Sequence, residues 1–230
     1  MTVYVLTDDI IFPDTREADA SGLVGIGGDL SVDRLLLAYK TGIFPWYADD
    51  DPILWFSPDP RLVFYFENYK PSRSLVKVIN SNKFQVKFDT DFESVIKKCA
   101  AIKRVGQSGT WINDDMIDSY IKMHYAGYAH SVETYLNCEL VGGLYGVSLG
   151  SAFFGESMFH DVPNASKIAF HFLVLKCKEW NFDFIDSQIP TEHMKRLGAV
   201  EISRNQFLSE LKESMKNKTR KGRWLCSSVV

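Results

Sequence analysis

The chain has 230 residues, 46% hydrophobic and 24% charged, with a formal net charge of -3; this composition excludes a disordered chain and allows one large core or two smaller ones. No stretch approaches the roughly 18 apolar residues of a membrane span, and residues 1–14, with Asp8, Asp9 and no base, lack the features of a secretory signal, so a soluble cytoplasmic protein without membrane attachment is expected. Cys99, Cys138, Cys177 and Cys226 are scattered and read as reduced thiols, and the five histidines show no metal-binding spacing, so no metal is expected.

The first sixty residues are dense in turn formers and signal one helix over 31–40, with Ser31 or Asp29 as N-cap and Gly42 just past its end. A composition change near Arg61 suggests a boundary, giving expected domains of 1–61 and 62–230. Beyond it the patterns predict a strand over 62–67, a helix over 73–80, a strand over 84–88, and helices over 91–101 and 114–127. Strand-like runs at 130–136, 140–147 and 151–159 form an antiparallel meander with a turn at Ser148-Leu149-Gly150. A helix over 165–179, a strand over 182–188, a short helix over 192–197 and a final strand over 199–203 follow. The expected class is α+β, a small N-terminal domain plus a GNAT-like acyltransferase domain with a mixed, mostly antiparallel sheet; the analogy concerns fold alone. The acetyl-CoA loop Q/R-x-x-G-x-G/A has no match in residues 159–166, so coenzyme A is not expected.

Charge is segregated along the chain. Residues 1–60 hold 11 acids against 3 bases, residues 70–104 hold 9 bases against 3 acids, and residues 212–223 hold 6 bases against one acid. The first basic block, Lys70, Arg73, Lys77, Lys83, Lys87, Lys97, Lys98, Lys103 and Arg104, is either a solvated face or a track for a phosphate backbone.

Three constellations could carry chemistry. Gly146-Val147-Ser148-Leu149-Gly150 matches the serine-hydrolase elbow G-x-S-x-G, with Asp186 and His193 downstream; the elbow needs a helix directly after the serine, where an aromatic strand follows here. Asp186 and Gln188 sit two apart on an expected strand, so both side chains point to one face and can bond each other or one substrate. Glu156 lies within Phe153-Phe154-Gly155-Glu156-Ser157-Met158-Phe159, where a charge is costly without a cationic or donor partner.

The sequence resembles the leucyl/phenylalanyl-tRNA-protein transferase family. The resemblance rests on Gly27-Gly28-Asp29-Leu30, Gly42-Ile43-Phe44-Pro45-Trp46, Phe56-Ser57-Pro58-Asp59-Pro60-Arg61, Gly109-Thr110-Trp111-Ile112, Gly155-Glu156-Ser157-Met158-Phe159 and Ala165-Ser166-Lys167, with Asp186-Ser187-Gln188 and Leu197-Gly198-Ala199 also fitting. The segments occur in the family's order, although position 187, often cysteine there, is serine here.

The resemblance implies a leucyltransferase that moves leucine, phenylalanine and, less readily, methionine from aminoacyl-tRNA to proteins beginning with arginine or lysine, marking them for degradation, with no cofactor. It implies catalytic roles for Asp186 and Gln188, a Glu156 that contacts the aminoacyl-adenosine end, and Trp46 and Trp111 packed on the terminal adenosine. It further implies an apolar side-chain pocket of Leu144, Phe153, Leu173 and Ile185. Strand alternation sets Ile185 opposite Asp186 and Gln188, so a bulge or splay must bring both faces to one ligand. Phosphate contacts fall to Arg73, Lys77, Lys83 and Lys87. A monomer is expected. A serine hydrolase built on Ser148 and a non-catalytic RNA-binding module are the competing readings.

Overall fold

The computed structural model describes residues 4–102 and 111–225. Among them the chain opens with β1 (Tyr4–Leu6), β2 (Leu23–Gly27), α1 (Val32–Lys40), β3 (Phe44–Pro45) and β4 (Leu54–Phe56). The four strands form a small sheet in the order β1-β2-β4-β3. Only the helix is signalled in the sequence, because strands of two to five residues are too short to show alternation among so many turn formers. Helix α1 starts where Ser31 Oγ accepts from the Arg34 N–H and stops before Gly42, whose φ of 79° suits glycine.

The second sheet begins with β5 (Arg61–Phe64), which is shorter than the expected strand because residues 66–68 wind into a 3-10 turn. There follow α2 (Arg73–Ile79), β6 (Gln85–Phe88), α3 (Phe92–Ala100), α4 (Asp114–Tyr125), and the meander β7 (Ala129–Leu136), β8 (Glu139–Leu149) and β9 (Ala152–His160). Then come α5 (Ala165–Glu179), β10 (Phe184–Asp186), α6 (Glu192–Leu197), β11 (Val200–Ile202) and α7 (Arg204–Ser214). The expected final strand is therefore followed by a helix. Ser203 caps α7, and Phe207 and Leu211 are buried on an otherwise polar helix whose apolar stripe is too thin to stand out in sequence.

Strand order in the large sheet is β11-β5-β10-β9-β8-β7-β6, so the fold is α+β with a mixed, mostly antiparallel sheet. Strands β9 and β10 run parallel, which requires the crossover that α5 supplies. On one face Phe170 and Leu173 of α5 pack with Leu144, Phe153 and Ile185 of the sheet. On the other, Tyr145 and Phe154 pack with α3, α4, α1 and Trp55 of the small sheet, so the two sheets share one apolar core. A buried side chain of this kind contributes about 1.5–3 kcal/mol. Near the C-terminus Trp224 stacks on His130 at 3.9 Å and backs Phe153 at 5.8 Å, bracing the sheet from behind. No helix among the described residues is long and apolar enough to cross a membrane.

Candidate active site

The site is built around an irregularity in β9. Tyr145 pairs with Ser157 while Gly146 pairs with Gly155, so Glu156 is an extra residue on its strand. Such a bulge breaks the alternation of side chains and re-aims one of them. The partner strand must be bare opposite it: a Cβ on Gly146 would lie 2.2 Å from the Phe154 carbonyl oxygen.

Glu156 thereby turns toward α1 and α4. Its Oε1 accepts from the Tyr39 hydroxyl at 2.7 Å and from Gln188 Nε2 at 3.1 Å, and its Oε2 accepts from the Tyr120 hydroxyl at 3.1 Å. These are the donors that a carboxylate in an aromatic strand requires. Burial raises its pKa from 4.5 to about 7, against the opposing pull of the two hydroxyl donors, with nearby Asp186 adding to the rise. The two tyrosine hydroxyls also touch each other, and burial together with the Glu156 charge lifts both tyrosines well above the ordinary phenol range. Three oxygen–oxygen contacts share two hydroxyl protons when Glu156 is ionised and three when it is protonated, a second reason for the carboxyl to hold its proton.

Asp186 and Gln188 do not share a strand face as their spacing suggests. Strand β10 ends at Asp186, and Gln188 has a left-handed backbone with φ of 54°, which swings its side chain away from that of Asp186. From Gln188 the Asp186 carboxylate accepts only the backbone N–H, at Oδ1 and 2.9 Å; Arg61 grips the same Oδ1 through Nε at 2.9 Å and Oδ2 through Nη2 at 2.6 Å. The carboxamide of Gln188 bonds Glu156 instead. Ile185, on the opposite face of β10 from Asp186, and Gln188 then line one cavity, so the left-handed turn reconciles the two faces.

That cavity, of about 370 Å³, is walled by Leu144, Phe153, Leu173 and Ile185, the four apolar positions expected from the sequence, together with Phe170 and Met158. A second cavity, of about 260 Å³, is walled by Phe44, Trp46, Trp111 and Ile189. Glu156, Ser187, Gln188 and Thr191 border both. Trp46 keeps 37% of its surface exposed and Trp111 is half-buried, so both indoles offer a face. Gly109 and Thr110, beside Trp111, lie outside the described residues.

The phosphate-contact candidates stand apart from this cleft. Arg73 and Lys77 lie on α2, Lys83 in the following turn and Lys87 on the edge strand β6, three strands from β9. Lys97 pairs with Glu93 at 3.5 Å and Lys98 with Asp161 at 2.7 Å, which leaves them less available, while Lys103 and Arg104 fall outside the described residues. Ser148 is not a nucleophile elbow: it is fully buried inside β8, paired with Phe153, and β9 follows it rather than a helix. Tyr39 and Tyr120 are absent from the residues singled out in the sequence, and Arg61 appears there only as a boundary and within a family segment, with no role in the site. A signal for Arg61 existed, since a buried Asp186 demands a cation; the tyrosines carried none, being ordinary apolar positions of their helices.

A cleft with an apolar chamber and an aromatic chamber meeting at a carboxylate and a carboxamide has the build of a group-transferring enzyme. Residues 63–212 match the family model described as Leucyl/phenylalanyl-tRNA protein transferase, and residues 28–59 match that of its N-terminal domain. Proteins named leucyl/phenylalanyl-tRNA--protein transferase from Myxococcus xanthus and Sulfurimonas denitrificans are 50% and 52% identical, the first over 97% of each chain and the second over 92% of each. An acetyltransferase of the GNAT family from Staphylococcus aureus overlaps more loosely, at 16% identity over 44% of this chain and 70% of that one, with a TM-score of 0.35. L-PGS from Bacillus licheniformis gives 13% identity, 86% and 65% coverage and a TM-score of 0.41. The chain is thus an enzyme of the aminoacyltransferase class. It belongs to the leucyl/phenylalanyl-tRNA protein transferase family.

Proposed function

We propose that the enzyme moves leucine, phenylalanine and, less readily, methionine from the 3′ end of aminoacyl-tRNA to the N-terminal arginine or lysine of acceptor proteins, which marks them for degradation. The observation that carries this reading is the pair of chambers meeting at Glu156 and Gln188. The aminoacyl side chain fills the chamber of Leu144, Phe153, Leu173 and Ile185; the terminal adenosine lies against Trp46 and Trp111; the ester joining them crosses the border where the two polar side chains stand.

The reaction exchanges an ester for an amide. The acceptor amine forms an N–C bond with the acyl carbon, the C–O bond to the tRNA 3′-oxygen breaks, and a proton from the amine ends on that oxygen. An α-amine has a pKa of about 7.7–8.0, so much of it is neutral near pH 7.5 and alignment can supply most of the rate. Gln188 is bonded to Glu156 through its Nε2, which leaves its carbonyl oxygen to accept an amine N–H and aim the lone pair. Asp186, with both oxygens held by Arg61 and with no border on either chamber, acts beneath this pair rather than as its proton acceptor. The tRNA 2′-hydroxyl carries the proton across. Arg73, Lys77, Lys83 and Lys87 hold phosphates of the tRNA body.

The test is to incubate the enzyme with radiolabelled leucyl-tRNA and a peptide beginning with arginine. Label in that peptide, and none in its N-acetylated form, is the expected result. Tight tRNA binding without transfer would turn the reading to an RNA-binding module; ester hydrolysis abolished by Ser148→Ala would turn it to a hydrolase.

A further inference from the structure

Arg61 opens β5 with its side chain 1% exposed, and its hydrogen bonds go to segments that border the cleft. Nε and Nη2 grip both oxygens of Asp186, at 2.9 and 2.6 Å, and Nη1 donates to the Gly42 carbonyl at 3.3 Å. The guanidinium lies between the rings of Phe44, 4.8 Å from the centroid, and Phe207, at 4.4 Å. Phe44 is itself a wall of the indole chamber, and Gly42 begins the segment that carries Trp46. On the other side Asp186 Oδ1 takes the backbone N–H of Gln188, whose carbonyl in turn accepts from the Leu62 N–H at 3.1 Å. The Gln188 peptide is therefore held at one end by the carboxylate that Arg61 fixes and at the other by the residue after Arg61. A non-glycine residue keeps a φ of 54° only where its surroundings impose it.

We propose that Arg61 is a positioning residue for aminoacyl transfer: by gripping Asp186 with two parallel hydrogen bonds, it locks the left-handed turn that aims the Gln188 carboxamide at Glu156 and the ester. The proposal rests on the reading of Gln188 as the group that aligns the attacking amine. A lysine keeps the charge but cannot form the fork, so charge and geometry are separable.

The experiment measures kcat and KM for leucyl-tRNA, at saturating acceptor peptide, in Arg61→Lys, Gln188→Ala and the combined variant. Loss of alignment on the scale of an ångström costs roughly 10²-fold, so Arg61→Lys is expected to lower kcat by about 10- to 100-fold while KM stays within about 3-fold. In the Gln188→Ala background the same change should cost no more than about 2-fold, because residues that act through one another are not additive. An Arg61→Lys enzyme with wild-type kcat, or one whose loss is undiminished in the Gln188→Ala background, overturns the proposal and leaves Gln188 untouched. Full kcat in Gln188→Ala alone overturns the reading of Gln188 and this proposal with it. If Arg61→Lys loses its cooperative urea transition, Arg61→Met combined with Asp186→Leu replaces the buried ion pair by apolar bulk, an exchange that folds tolerate. That enzyme is expected to turn over like Gln188→Ala, and wild-type kcat in it would overturn the proposal.

Discussion

The carboxamide of Gln188 donates to Glu156 at 3.1 Å, whereas Asp186, two residues before it, receives only its backbone N–H. Glu156 is thus the carboxyl group in contact with both chambers, and Asp186 belongs to the frame beneath them.

Glu156 should make stability depend on pH. Its folded pKa, about 7, lies above the ordinary 4.5, so the folded chain holds this proton more tightly than the unfolded one. Stability from this group is fully present below pH 4.5 and is lost as pH rises to about 7, on the order of 3 kcal/mol in all. Glu156→Gln has no proton to lose. Urea midpoints near pH 5 and pH 8 should therefore show the wild type losing ground to the variant at the higher pH; a gap that stays constant would mean that Glu156 titrates like an exposed carboxyl.

Asp186→Ala leaves the buried Arg61 guanidinium without its counter-charge. Breaking such a pair from one side costs about 3–5 kcal/mol. The variant should show that loss in urea denaturation and a fall in transfer as the Gln188 turn loosens. A cost below about 1 kcal/mol would place the pair in contact with water.

Trp111→Ala should weaken binding of leucyl-tRNA and of leucyl-adenosine alike, since base stacking on an aromatic ring is worth about 1–3 kcal/mol, or roughly 5- to 150-fold in Kd. Gln188→Ala should leave both affinities within about 2-fold while lowering turnover. An unaltered Kd in Trp111→Ala would remove this indole from the adenosine chamber.

Leu173→Phe should narrow the apolar chamber. Phenylalanine, the bulkier donor, is expected to suffer more than leucine, with the leucine-to-phenylalanine ratio of kcat/KM rising by about 10-fold, within the range that one or two methylenes produce in such a pocket. Equal loss for both donors in a direct competition would argue that the side chain lodges elsewhere.

Regular elements were legible wherever local pattern decides them. Ser31, Gly42 and the apolar spacing bound α1, and the alternation in residues 129–160 gave the meander within a residue or two. The four apolar positions that the resemblance implies, Leu144, Phe153, Leu173 and Ile185, line one cavity, where Phe170 and Met158 join them. The polar half was misread in its wiring. A period of two puts Asp186 and Gln188 on one face, and neither the left-handed Gln188 nor the extra residue at Glu156 leaves a mark in composition. The partners that decide those conformations, Arg61, Tyr39 and Tyr120, stand more than thirty residues away in the chain, where no local pattern reaches.

Because Glu156, Ser187, Gln188 and Thr191 border both chambers, a molecule designed to plug this enzyme can carry an apolar arm and an aromatic arm joined where those polar groups stand. On the proposed reading, a nucleoside joined to an apolar acyl group through a non-cleavable amide in place of the ester reaches both at once and is a natural starting point for an inhibitor.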